Sequence, residues 1–119
     1  MLRVAFCSED SEHIDSHFAR GSQIVIFEFD SSSYREVNTI NFNSSESIIE
    51  DEKVNLRIKA VRDCSILCCS QIGGPAAARL VQQKIFPLKL EEGMLIEDAA
   101  QRLNQLFMKN PPRWLQKQM

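Results

Sequence analysis

A chain of 119 residues, 44% hydrophobic and 25% charged, has the make-up of one globular domain and no length for a second. Fourteen basic residues against sixteen acidic ones leave a formal net charge of -2. That balance argues against nucleic-acid binding, which shows itself as a basic patch or a high pI, and no apolar run approaches the ~20 residues of a membrane-spanning helix.

The opening stretch, Met1 to Cys7, is too short for the apolar region of a signal peptide and lacks its cleavage pattern. The expected setting is therefore the cytoplasm, with the four cysteines as thiols. Residues 2–7 read as a strand, with Leu2, Val4 and Phe6 on one face and Ala5 and Cys7 on the other. Only Arg3 is polar, so both faces are expected to be covered. A polar stretch from Ser8 to Gly21 carries both histidines, His13 and His17. Ile24 to Phe29 is a second strand by its β-branched and aromatic content. Asp30-Ser-Ser-Ser33 is turn chemistry, and Tyr34 to Phe42 follows as a third, more exposed strand with untidy alternation.

Ser47-x-x-Glu50 fits a capping box, and Glu46, Glu50, Asp51 and Glu52 suit the positive end of a helix dipole. Val54, Ile58 and Val61 form the apolar stripe of that helix, with Lys53, Arg57, Lys59 and Arg62 in its later turns. Ser65 to Cys69 is a short buried strand. Gly73-Gly74-Pro75 then opens a second helix, with proline where a first turn accepts it. Lys84 to Leu90 is another strand, placed at a sheet edge by Pro87, which has no ladder donor. Ile96, Ala99, Ala100, Leu103 and Phe107 mark a last helix stopped by Asn110-Pro111-Pro112, with Trp114 and Leu115 as an anchored tail.

The order β-β-β-α-β-α-β-α predicts an α/β fold: a mixed five-stranded sheet with helices on its faces, its fourth strand parallel to the first and beside it. Ligands of open α/β sheets collect beyond the carboxyl ends of parallel strands. Three segments are expected to converge there. These are the histidine loop from Ser8 to Phe18, the cysteines Cys64, Cys68 and Cys69, and the Gly73-Gly74 turn, whose helix offers free N–H groups to an anion.

Asp10-Ser-Glu-His-Ile-Asp-Ser-His-Phe18 resembles the motif Asp-x-x-x-(Val/Leu)-(Asp/Asn)-x-His-Phe-Gly of the dinitrogenase iron–molybdenum cofactor biosynthesis family, which groups NifX-type proteins with the NafY core domain and the NifB C-terminal domain. Ile72 to Val81, the Ile-x-Pro-Leu-Lys stretch at 85–89 and Pro-Pro-x-Trp-Leu at 111–115 extend the resemblance over almost the whole chain. It implies a single domain over 1–119 with a ribonuclease-H-like fold and no nuclease chemistry. It also implies a non-catalytic carrier of an iron–sulfur precursor of the iron–molybdenum cofactor. Nitrogenase cofactor assembly proteins, a NifB-type donor and a NifEN-type scaffold, are the implied partners. One position departs: the motif's glycine after His-Phe is Ala19 here, with Gly21 two residues on.

His17 is the expected metal ligand, since a neutral imidazole binds iron and can be protonated or displaced. The plainer alternative is a loop histidine bonded to its own turn. His13 falls on a variable motif position and reads as a solvated side chain. Cys64-x3-Cys68-Cys69 matches no ferredoxin or zinc spacing, and neighbours on a strand point to opposite faces. Most of the cysteines therefore read as core, with Cys69 or Cys7 the choice for a second cofactor-binding residue because each closes a strand at the proposed edge. Gly73 and Gly74 lack a dinucleotide or P-loop pattern; they read as a tight turn whose amides also face the anionic cargo. Arg20 and Arg79 offer either charge compensation or a plain exposed surface role, and Asp10 and Asp15 read as caps and loop braces. Two alternatives stand beside the carrier: a small metal-dependent hydrolase on the same fold, and a metal-free interaction module.

Overall fold

Strand β1 (Leu2–Ser8) is the spine of the fold because both its faces are apolar. Leu2, Val4 and Phe6 enter one core, and Ala5 and Cys7 enter the other. The computed structural model describes residues 2–30, 33–42 and 50–109. Around β1, the strands β3 (Gln23–Phe29), β4 (Tyr34–Asn41), β5 (Ile66–Cys69) and β6 (Phe86–Lys89) form one sheet in the order β4-β3-β1-β5-β6. β1, β3 and β4 are antiparallel neighbours, whereas β5 runs parallel to β1 and β6 parallel to β5. This is the mixed five-stranded, ribonuclease-H-like sheet expected from the sequence.

Helices cover both faces. Helix α3 (Ile96–Lys109) sends Ile96, Ala99, Ala100, Leu103 and Phe107 onto Val4, Phe6, Val25, Phe27 and Phe29, with edge-to-face ring contacts at 5.3 Å for Phe6–Phe27 and Phe29–Phe107. Helices α1 (Glu50–Ala60) and α2 (Gly74–Gln82) lie on the other face, where Val54, Ala76 and Leu80 join Cys7, Ile24, Leu67 and Cys69. β5 shows the alternation well: Ile66 and Cys68 face α3, while Leu67 and Cys69 face α1 and α2. Pro87 lies on edge strand β6, as expected. Phe86 donates to the Ser65 carbonyl and Leu90 to the Cys69 carbonyl, so residues of that parity point inward and proline takes the outward one.

Three features differ from the sequence reading. A short ladder pairs β2 (His13–Ile14) with β7 (Met94–Leu95) inside what reads as a polar loop, because Ile14 is fully buried against α3's core. The untidy alternation of β4 has a cause: its pairing steps from Asn38 opposite Ile26 to Glu36 opposite Phe27, which leaves Val37 as a bulge. Arg57, which the sequence places among the cations of the helix's later turns, is almost wholly buried. The Ser47 cap with Glu46, and the Asn110-Pro111-Pro112 stop with Trp114 and Leu115, lie outside the described residues. No helix among the described residues is long and apolar enough to cross a membrane.

Candidate functional site

The histidine loop leaves the carboxyl end of β1 and is braced by its own acids. Asp10 Oδ1 accepts the backbone N–H groups of Glu12 and His13 at 2.8 Å each, and Asp15 Oδ1 accepts that of Glu9 at 2.9 Å. The Asp10 and Asp15 braces expected from the sequence are thus present. Glu9 ties the two sides of the loop together, taking the Ser16 hydroxyl with one oxygen and the Ser22 hydroxyl with the other, the latter at 2.6 Å. The Ser22 hydroxyl, ahead of other contacts, holds the Glu9 carboxyl below its usual range.

His17 sits where this loop meets the exit of β5. Phe18 N–H donates to the Gln71 carbonyl at 2.9 Å, and Ser70 N–H to the Ser16 carbonyl at 3.3 Å, so the loop runs parallel to the segment that leads into α2. The turn then closes on His17, whose carbonyl accepts N–H groups from Arg20 and Gly21. Gly21 is the glycine this turn requires. A Cβ there would lie 2.8 Å from Ser16 Cβ, whereas the motif position Ala19 is simply buried. Arg57 clamps the turn from α1, donating to the Gly21 carbonyl at 2.8 Å with its guanidinium 4.3 Å from the Phe42 ring centre.

The imidazole itself is oriented by the backbone. Ala19 N–H donates to His17 Nδ1 at 3.0 Å, so in the neutral ring Nδ1 is the acceptor and Nε2 carries the proton. Nε2–H is then the group available to a ligand. Iron at either nitrogen of the neutral ring requires that the Ala19 bond be given up, because a proton moved to Nδ1 would face the Ala19 N–H.

His17 lines a cavity of about 280 Å³ with Ala19, Asp51, Val54, Gly73, Pro75, Ala76 and Arg79. The histidine loop and the mouth of α2 therefore meet, as expected. Gly73 is the N-cap residue of α2, with φ -73° and ψ 153° and no side-chain cap. Pro75 has no N–H and Ala77 N–H bonds the Gly73 carbonyl, so the donors at this mouth without a partner among the described residues are the amides of Gly73, Gly74 and Ala76. Neither glycine is demanded by the backbone. A Cβ on Gly73 would find its nearest neighbour at 4.0 Å, one on Gly74 nothing within 4 Å, and neither has a positive φ. The tight-turn explanation of this pair fails on those numbers, and what the glycines do supply is open space before a helix mouth. Gly74 stands beside the cavity as the first residue of α2; Gly73 lines it.

Arg79 also lines the cavity and pairs with Asp51 at 2.8 Å, while Arg20 is exposed and outside it. The cysteines expected as a possible second contact are placed otherwise. Cys7 and Cys69 are buried in the core between the sheet and α1–α2, and neither lines the cavity. Burial comes first in raising Cys7 well above the ordinary thiol range and Cys69 to about 11, so both stay protonated near neutrality. Cys64 is pushed up to about 12 by burial, and Cys68 is raised by burial on the α3 face. His13 is half-exposed with Nδ1 2.6 Å from Asp10, away from this cavity. A wider groove of about 450 Å³ between β4 and α1, lined by Ile40, Phe42, Leu56, Lys59 and Arg62 among others, brings together no imidazole, thiol or carboxylate.

Two contributors were missed in the sequence, Arg57 and Asp51. Arg57 follows Val54 by three positions and precedes Val61 by four, so the helical stripe already carried its signal. Nothing in the sequence singles out Asp51 among the acids around it.

Fold and cavity together define a class: an α/β domain holding an imidazole, an uncapped helix mouth and a guanidinium at the carboxyl edge of its parallel strands. Residues 1–106 match the family described as dinitrogenase iron-molybdenum cofactor, and the chain belongs to that family. It is 34% identical over 116 residues to protein NifY of Klebsiella pneumoniae, covering 98% of this chain and 50% of that protein. It is 31% identical over 119 residues to protein NifX of Herbaspirillum seropedicae, covering 99% of this chain and 82% of that one. The chain thus spans about half of NifY and most of NifX. Its fold is similar to the crystal structure of PH0822, with a TM-score of 0.71 at 21% identity, covering 96% of this chain and 98% of the other.

Proposed function

We propose that this protein acts in iron–molybdenum cofactor biosynthesis as a non-catalytic carrier in the cytoplasm, binding an anionic iron–sulfur precursor in the His17 cavity and passing it on. The observation that carries the reading is the meeting of His17, the glycine-lined mouth of α2 and Arg79 around one space. In that arrangement the Gly74 and Ala76 amides face negative charge at the positive end of the helix. His17 meets the cargo first through Nε2–H, and ligates iron once its ring leaves the Ala19 amide. That exchange keeps the bond reversible, as a carrier requires. The cysteines are left out of the reading because all four are buried and none lines the cavity.

A NifB-type donor and a NifEN-type scaffold are the partners this role calls for. The hydrolase alternative is less well supported. Its metal chemistry needs converging carboxylates, and Asp51 is the one carboxylate among the described residues lining the cavity. The test is anaerobic mixing of the protein with the isolated cofactor, followed by gel filtration and absorption spectroscopy of wild type and His17→Ala. Cluster should co-elute with wild type and be lost from the variant; equal retention removes His17 from the role.

A further inference from the structure

Arg79 and Asp51 supply the formal charges of the cavity wall among the described residues, and they cancel. That is an odd lining for a site that takes an anion, because a carboxylate repels it. The two partners are held unequally. Arg79 is 30% exposed and reaches across from α2, while Asp51 is 77% exposed in the first turn of α1. A carboxylate in that position turns into water at little cost, since exposed pairs of this kind contribute little. The guanidinium stays against the cavity and keeps its planar set of donors, which suits a polarisable, weakly hydrated anion better than a lysine would.

We propose that Asp51 is a built-in stand-in for the cargo: it occupies Arg79 while the cavity is empty and yields it to an entering metal–sulfide anion. The Asp51–Arg79 pair thereby sets the charge selectivity of the site. Empty, the cavity is neutral and makes a poor trap for small anions such as chloride or phosphate. An anion able to engage Arg79, the α2 mouth and His17 together displaces Asp51, and departure of the cargo lets Asp51 return. This inference rests on the carrier reading of the same cavity.

The test uses tetrathiomolybdate, a small and stable metal–sulfide dianion, as probe, with dissociation constants measured for wild type, His17→Ala, Asp51→Asn, Arg79→Gln and the double variant Asp51→Asn/Arg79→Gln. Removing the competing carboxylate should tighten binding about threefold to tenfold, the range an exposed pair and its repulsion of the probe allow. The gain should steepen the salt dependence and shrink in the Arg79→Gln background to the part owed to the carboxylate's direct repulsion of the probe, since no guanidinium is left to release. If Asp51→Asn binds no better than wild type while wild-type binding still depends on His17, the stand-in role is refuted. A lowered melting temperature would then identify the pair as a strap between α1 and α2. If neither His17→Ala nor Arg79→Gln weakens binding, the cavity is not the anion site, and the carrier reading falls together with the stand-in role.

Discussion

Replacing Gly73 by aspartate separates the needs of the fold from those of the cargo. Gly73 already has the extended backbone of an N-cap residue, its Cβ position is open, and no side chain caps α2. Aspartate there gains a side-chain cap, a few tenths of a kcal/mol over glycine, and a favourable dipole interaction of about 0.3–1 kcal/mol. The variant should therefore be more stable by about 0.5–1 kcal/mol, a rise of about 2–4 °C in melting temperature for a chain of this size. The same carboxylate stands where an anion would bind. At about 6 Å and an effective dielectric near 20, like unit charges repel by roughly 2–3 kcal/mol before screening and about half that at physiological salt, so cargo affinity should fall about tenfold or more. Gly73→Ser is the companion variant: it caps without charge and should change affinity far less. Thermal melts followed by circular dichroism read the first quantity, and anaerobic cluster binding reads the second. A Gly73→Asp protein that is stabilised yet binds cargo as tightly as wild type would show that the α2 mouth is not the anion site. A destabilised one would show that the glycine serves the backbone after all.

Other expectations follow from the same geometry. Gly21→Ala drives a Cβ to 2.8 Å from Ser16 Cβ and should cost about 1–3 kcal/mol by urea unfolding, with a shift in the His17 resonances. Arg57→Met leaves the Gly21 carbonyl without its charged donor and should cost about 2–3 kcal/mol, although the residue does not line the cavity. The hydrogen bond to Asp10 raises the His13 midpoint above the ordinary 6.5, so its stabilisation of the loop is complete below that value and is lost as pH rises through the raised midpoint. An NMR titration should find His13 deprotonating late, and Asp10→Asn should bring the midpoint down. All four cysteines are buried, so a thiol reagent should label the native protein slowly and the urea-unfolded protein at once.

The strands of the sheet were legible as apolar, β-branched and aromatic runs of four or more residues, and α1 and α3 by apolar residues at helical spacing. β1 and β5 alternate between two cores, and α3 repeats its apolar residues at helical spacing. The β2–β7 ladder was not legible, since two-residue strands have no period and Ile14 alone marks the burial. Within the site, the proximity of His17 to the α2 mouth followed from topology: both segments leave neighbouring parallel strands at the same end. The fate of the cysteines turned on depth. Cys7 and Cys69 do close strands at the right edge, but closing a strand fixes position along the sheet and says nothing of what lies above it. Arg57 was hidden by its chemistry, because a long cation on a helix is normally solvated.

Under the carrier role proposed above, the division of labour within the site bears on how cargo leaves it. The contacts that hold the loop in place are Glu9 across its base, the Gln71 backbone beside it and Arg57 behind it, and none of these residues lines the cavity. The groups that face the cavity are occupied by light substitutes. His17 Nδ1 has the Ala19 amide and Arg79 has Asp51, while the α2 amides have no partner among the described residues. Binding therefore trades one contact for another at two of its three points, and each internal hydrogen bond given up cancels about 0.5–1.5 kcal/mol of what the cargo gains. A permanent metal centre is built the other way, from ligands further oriented by hydrogen bonds that metal binding does not break. Here the bond that orients the imidazole in the empty protein is the one that iron ligation must break, which favours a site that loads and unloads over one that keeps its metal.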